Sequence, residues 1–171
     1  MNGRRKPRVP RWISSNPIET AKAYAGRLTA AEMQTAMTPV REAFRVLREG
    51  VASEMDWATL VTATNVGDAI ELQGVVRGVR AHIQAGQHAL AGIQQRAMAS
   101  GAWRPTALYF QELDAISAAV DIHEFQLRQL SFGEYRRAVA RAIAEVRSAG
   151  GNVIKSTHPG QQQLTLIGAC P

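Results

Sequence analysis

The first eleven residues hold the densest run of charge in this sequence, and no acidic side chain occurs among them. The run contains five basic residues: Arg4, Arg5, Lys6, Arg8 and Arg11. Side chains of this kind neutralise phosphates, so we expect residues 1–14, the N-terminal arm, to bind a polyanion. Five phosphate contacts on duplex DNA predict that log affinity falls with log salt concentration at a slope of about −4.5. Arginines interleaved with prolines also suit a minor groove or an RNA backbone.

Two other interpretations of the N-terminal arm remain open. In the first, the arm is a solvated tail that aids solubility. In the second, it contacts an acidic surface of a host protein. Trp12 and Ile13 close the arm, and the Trp12 indole can stack on a nucleic-acid base. Such an apolar pair more often anchors a tail to the folded part of the chain, which is the role we favour.

A second basic surface is predicted in the segment 128–147. Arg137 and Arg141 are four residues apart, so they share one face of a helix and extend a surface that includes Arg128. Glu145 follows Arg141 by four residues, and we therefore favour an ordinary salt-bridged surface over a nucleic-acid contact. The full set of candidate nucleic-acid-binding residues is Arg4, Arg5, Lys6, Arg8, Arg11, Trp12, Arg137 and Arg141.

Asp121, His123 and Glu124 come closest in residue type to a metal or acid–base site. The sequence has no HExxH motif, no second histidine four residues from His123 and no thiolate partner. His123 falls on the apolar stripe of a predicted helix, where a histidine is usually a core residue with hydrogen-bonded ring nitrogens. We therefore expect no catalytic residue, no metal and no cofactor. Catalysis or metal binding at His123 stays the minor alternative.

A polar insert in the predicted third helix offers His123 a partner. The insert consists of Thr62, Thr64, Asn65 and Asp68 among apolar residues. We expect these side chains to pair with His123 or Glu124 across the protein. Such a buried hydrogen-bond network would fix the register of the helices.

Repeated N-capping signals place these residues on six predicted helices. Pairs such as Thr29 with Glu32, Ser53 with Asp56 and Ser131 with Glu134 put an acid three residues after a capping hydroxyl. The predicted helices cover residues 17–28, 29–50, 53–74, 79–99, 106–130 and 131–150. Apolar residues recur every three or four positions in them.

The predicted fold class is therefore all-α, a compact antiparallel bundle of about six helices over residues 15–151. A disordered basic arm, residues 1–14, precedes the bundle, and an irregular C-terminal tail, residues 152–171, follows it.

Length and composition restrict the class of protein further. A chain of 171 residues with 46% hydrophobic and 20% charged residues is typical of one globular domain. Cys170 is the sole cysteine, which excludes an intramolecular disulfide and fits a reducing compartment. No apolar run has the length of a membrane span and no secretory signal follows the basic start. We expect a cytoplasmic protein with no membrane partner.

Five short segments carry a resemblance to a known group of proteins. They are residues 4–8 (RRKPR), 16–17 (NP), 62–66 (TATNV), 120–127 (VDIHEFQL) and 134–138 (EYRRA). In these segments the chain resembles small all-helical proteins of unknown function encoded by phages and prophages of proteobacteria. The resemblance extends over most of residues 4–150 and implies an accessory protein of a mobile element in a bacterial host cell. It supplies no catalytic or binding residues.

Together these observations predict a non-enzymatic accessory or regulatory protein that associates with DNA or RNA through the N-terminal arm. The alternative is a protein-interaction module that binds and inhibits a host factor, for example a counter-defence protein. A homodimer of the bundle is compatible with both. An enzyme is the third hypothesis, and His123 is its best candidate residue.

Overall fold

A computed structural model describes residues 16–99, 101–105 and 107–150, which form six α-helices. In chain order they are α1 (Pro17–Ala25), α2 (Ala30–Arg48), α3 (Glu54–Gln73), α4 (Arg80–Ala97), α5 (Phe110–Gln129) and α6 (Phe132–Ser148). The predicted all-α class with six helices is confirmed for this part of the chain, where no strand occurs. The predicted N-terminal arm and C-terminal tail lie outside the described residues.

Reciprocal capping boxes begin three of the helices as predicted. At the start of α3, the Ser53 hydroxyl accepts a hydrogen bond from the Asp56 backbone N–H, and the Asp56 carboxylate accepts one from the Ser53 N–H at 2.8 Å. Thr29 and Ser131 begin α2 and α6 in the same way. Each box satisfies backbone donors that the first turn of a helix leaves unpaired.

The predicted start of the fifth helix at Thr106 is four residues too early, because α5 begins at Phe110. The preceding segment is held extended by contacts with α4. The Arg96 guanidinium of α4 donates a hydrogen bond to the Ala107 carbonyl at 3.0 Å and forms an ion pair with Glu112. The Glu112 carboxylate also accepts a hydrogen bond from the Tyr109 N–H.

Helix α1 ends at Ala25 and not at the predicted Leu28, because the backbone after Ala25 forms hydrogen bonds with the connection between α5 and α6. The Leu28 N–H donates to the Leu130 carbonyl at 3.2 Å, and the Phe132 N–H donates to the Gly26 carbonyl at 2.9 Å. These two hydrogen bonds join the α1–α2 connection to the α5–α6 connection.

Helix α3 lies at the centre of the bundle and packs against α2, α4, α5 and α6, while α1 packs against α6. The pair α3–α4 is antiparallel: Asp68 contacts Arg80 near the connection, and the Trp57 indole N–H donates to the Leu90 carbonyl at the far end. The core is continuous across these helices and includes the fully buried residues Met37, Leu47, Leu60, Ile70, Leu90, Ile116 and Leu127.

Helices α4 and α5 lie in close contact at Gly86. A Cβ atom built on Gly86 would lie 2.7 Å from the Cβ of Ala119, which is closer than two carbon atoms can pack. Only a residue without a side chain fits at position 86 in this arrangement of the two helices. No helix among the described residues combines the length and the apolar character needed to cross a membrane.

Candidate functional site

The structure places the two predicted basic residues of α6 on its exposed surface. The Arg141 guanidinium donates to the Glu145 carboxylate at 3.1 Å, so the predicted salt-bridged surface is confirmed there. Hydrogen bonds from Ser131 lower the pKa of Glu134, and the charge of nearby Arg137 lowers that pKa further. The remaining candidates, Arg4, Arg5, Lys6, Arg8, Arg11 and Trp12, lie outside the described residues.

Glu124 is the centre of a second ion-pair group on the surface. Its carboxylate pairs with Arg128 one turn later on α5 and with Arg41 on α2. The hydrogen bond from Arg41 is the largest cause of the lowered pKa of Glu124. Arg128 is therefore engaged and adds no free positive charge to Arg137 and Arg141. The contact with Arg41 spans 83 positions of sequence, so no local pattern indicates it.

The described residues as a whole are electrically neutral. All 14 acidic residues of the chain lie between Glu19 and Glu145. Residues 16–150 contain 14 of the 20 basic residues, because five belong to the N-terminal arm and one is Lys155. The formal net charge of +6 therefore comes entirely from residues outside the helical bundle.

His123 is a core residue, as the sequence predicts, but its ring nitrogens are not both hydrogen-bonded. The residue is 5% exposed, and its Nδ1 is buried with no hydrogen-bond partner among the described residues. Burial lowers the pKa of His123 to about 4, so the ring is neutral at neutral pH. The nearby Gly67 carbonyl accepts instead from the Gln126 side-chain N–H at 3.0 Å.

The predicted network between the polar insert of α3 and His123 or Glu124 is wrong in its partners. The Asn65 carbonyl oxygen accepts a hydrogen bond from the Gln87 side chain of α4 at 3.0 Å, and both residues are buried. Asp68 pairs with Arg80 of α4. Asn65 and Asp68 thus contact α4, and the Thr62 and Thr64 hydroxyls donate to backbone carbonyls of α3 itself. Gly67, which lies next to His123 Nδ1, has no side chain to offer.

Asp121, His123 and Glu124 do not converge on one site. Asp121 is exposed, Glu124 is engaged by two arginines and His123 is buried. Within residues 16–99, 101–105 and 107–150, no group of three histidine, cysteine or acidic side chains is placed to hold a metal ion.

A groove of about 360 Å³ lies next to His123, and its lining comes from four helices. We call it the His123 groove. Its lining residues are Ala36, Pro39, Val40, Met55, Ala58, Thr59, Thr62, Ala63, Val66, His123 and Tyr135. The groove exists because α3 presents small side chains between α2 and α6, which both pack on α3. Among the described residues its lining contains no carboxylate, lysine or arginine. Sequence reasoning missed this groove because its walls are up to 99 residues apart.

An exposed aromatic surface lies at the C-terminal end of α2, beside the start of α5. Phe110 is 74% exposed, although large aromatic side chains are normally buried. It lines a cleft of about 240 Å³ together with Phe44, Arg48, Leu113, Asp114 and Ser117. The Arg48 guanidinium lies 5.8 Å from the centre of the Phe44 ring. We call this surface the Phe110 patch.

Comparison with protein-family models, curated proteins and solved structures finds no match to this chain.

Proposed function

We propose that this chain is a non-enzymatic accessory protein of the phage type that associates with nucleic acid through its N-terminal arm. The observation that supports this proposal is the segregation of charge. Residues 16–150 carry equal numbers of acidic and basic side chains, whereas the arm carries five basic and no acidic ones. A neutral bundle attracts phosphate weakly at long range, so the arm supplies most of the electrostatic attraction.

Ion pairing within the bundle strengthens the contrast with the arm. Six arginines of the bundle form salt bridges with acidic side chains: Arg41, Arg45, Arg80, Arg96, Arg128 and Arg141. To contact a phosphate, each of these arginines would have to break its ion pair or bind the phosphate and the carboxylate together. The proposal therefore assigns non-specific phosphate contacts to the arm, with Arg137 as an additional contact on the bundle. Such contacts position a protein on nucleic acid without reading a base sequence.

The proposal is tested by measuring how salt changes the affinity of the full chain for a fluorescent 20-base-pair duplex and for an RNA of equal length. Five phosphate contacts predict a slope of about −4.5 in the duplex series. Replacing Arg4, Arg5 and Arg8 by Gln removes three contacts, so the predicted slope becomes about −1.8.

A matched control removes the same charge from the bundle. Arg77, Arg104 and Arg147 are exposed and form no ion pair with the acidic side chains of the described residues. Replacing these three by Gln is expected to change the slope by less than one unit. Equal slopes for the two triple variants, or no binding of the intact chain at low salt, would refute the proposal.

A second candidate function is a protein-interaction module that binds and inhibits a host factor, and the Phe110 patch favours it. Phenylalanine and arginine are both enriched at protein interfaces relative to the rest of the surface. Phe110 and Arg48 meet at one cleft on the surface of the bundle. This function needs no nucleic acid.

The two candidates are separated by recovery of complexes from nuclease-treated host lysate. A protein interaction through the Phe110 patch predicts a complex that survives nuclease and is lost on Phe110→Ala. Ile143→Ala, which removes another half-exposed apolar side chain on α6, is the matched control and should retain the complex. Recovery of the bait alone in all samples would count against this second function.

A further inference from the structure

The Phe110 patch holds an exposed aromatic ring and an apolar cleft side by side. The Phe110 ring is 74% exposed, and the cleft that it borders has a volume of about 240 Å³. The other apolar side chains of the cleft, Phe44 and Leu113, are half-buried and pack against the hydrophobic core. In a two-fold dimer the same patch occurs on both subunits, so a ring beside a cleft for a ring makes a surface self-complementary.

Two packed helices present this patch. Phe110, Asp114 and Ser117 follow one another at intervals of four and three residues, so they share one face of the first turns of α5. Phe44 and Arg48 share a face near the end of α2 in the same way, and α2 packs against α5. Because the patch is built on helices and not on a loop, association orders no additional segment of chain.

The two charged side chains of the cleft have opposite signs. Arg48 and Asp114 are both exposed, and neither forms an ion pair within the described part of the chain. Arg45, one turn earlier on α2, is already paired with Glu42 and Glu49. One unpaired cation beside one unpaired anion leaves the cleft without net charge, so it does not attract phosphate. Two copies related by a two-fold axis supply each of these charges with an opposite one.

We propose that two copies of this chain dimerise through the Phe110 patch. The Phe110 ring of each copy enters the cleft of the other, and Arg48 pairs with the partner's Asp114 on both sides of the two-fold axis. This proposal goes beyond association with nucleic acid and does not depend on it. The second candidate function gives the same patch to a host factor, and the experiments below separate these two occupants.

The first experiment measures the dimer dissociation constant by sedimentation equilibrium of the nuclease-treated full chain over a series of concentrations. Phe110→Ala removes two buried rings per dimer, so the dimer should weaken by roughly 100-fold or more. Phe125→Ala is the matched control and should leave the constant unchanged. Phe125 is a 50% exposed phenylalanine of the same helix, about 22 Å further along its axis.

Two results of this experiment would overturn the proposal. The first is equal weakening of the dimer by Phe110→Ala and Phe125→Ala. The second is a wild-type chain that stays monomeric at every concentration. If such a monomeric chain recovers a complex from host lysate that Phe110→Ala loses, the patch belongs to the host factor.

A mixing experiment tests the charge pair. In their own homodimers, Arg48→Asp and Asp114→Arg each bring like charges together twice, so each should dimerise roughly tenfold or more weakly than the wild type. When the two variants are mixed, both contacts again join opposite charges, so a mixed dimer should form with an affinity near that of the wild type. A surface that binds only a host factor does not show this rescue. A mixture that associates no more tightly than either variant alone would overturn the proposal.

Discussion

Acidification is predicted to destabilise this protein through His123. The pKa of the buried ring is lowered to about 4 from an ordinary value of 6.5, so the unfolded chain binds a proton that the folded chain excludes. The stability that depends on the neutral ring is fully present above pH 6.5 and is lost as the pH falls towards 4. A displacement of this size corresponds to about 3 kcal/mol in total, of which about 2 kcal/mol is lost between pH 7 and pH 5.

The assay is urea unfolding followed by circular dichroism at pH 7.0, 6.0 and 5.0, for the wild type and for His123→Leu. Carboxyl groups such as Asp56 and Glu124, whose pKa values are lowered by hydrogen bonds, also reduce stability in acid. They do so in both proteins, so the difference between the two unfolding free energies isolates His123. On going from pH 7 to pH 5, the wild type should lose about 2 kcal/mol more unfolding free energy than His123→Leu. A difference that stays constant within about 0.5 kcal/mol would refute the neutral, buried state of His123.

Three further predictions concern the packing of the bundle, and each is measured as a change in the free energy of urea unfolding. Gly86→Ala forces a methyl group against Ala119 and should cost about 1–3 kcal/mol; no loss would contradict the close approach of α4 and α5. Ser53→Ala removes the hydroxyl that caps α3 and should cost about 1 kcal/mol, whereas an unchanged midpoint would mean that the cap contributes nothing. Asn65→Ala leaves the buried Gln87 amide without its hydrogen-bond acceptor and should cost about 1–3 kcal/mol. The double variant Asn65→Leu with Gln87→Leu should lose less stability than the sum of the two single variants. Strictly additive losses would argue against the pairing of these two side chains.

Local signals in the sequence were sufficient to predict the helices. Capping pairs such as Ser53 with Asp56 act within one turn, so they are visible in four consecutive residues and fix where a helix begins. The start of α5 is the exception, since Arg96 of the preceding helix holds the chain extended before Phe110. That contact depends on how α4 and α5 pack, which the sequence of α5 alone does not encode.

The site was predictable only in part, for the same reason. The apolar stripe of α5 correctly predicts that His123 is buried, because the period of a helix determines which face is covered. The partner of Asn65 was not predictable, because several polar side chains lie at compatible positions and only the packing of α3 on α4 selects Gln87. The His123 groove and the pairing of Arg41 with Glu124 likewise arise from residues far apart in the sequence.

Association with nucleic acid through the N-terminal arm is best tested by deleting residues 1–11 and measuring duplex affinity at low salt. The bundle begins at Pro17, so the truncated chain should retain its circular dichroism spectrum and its unfolding midpoint. Duplex binding should be lost together with its salt dependence, because the neutral bundle attracts phosphate only weakly. A folded, truncated chain that binds the duplex as tightly as the intact chain would contradict it.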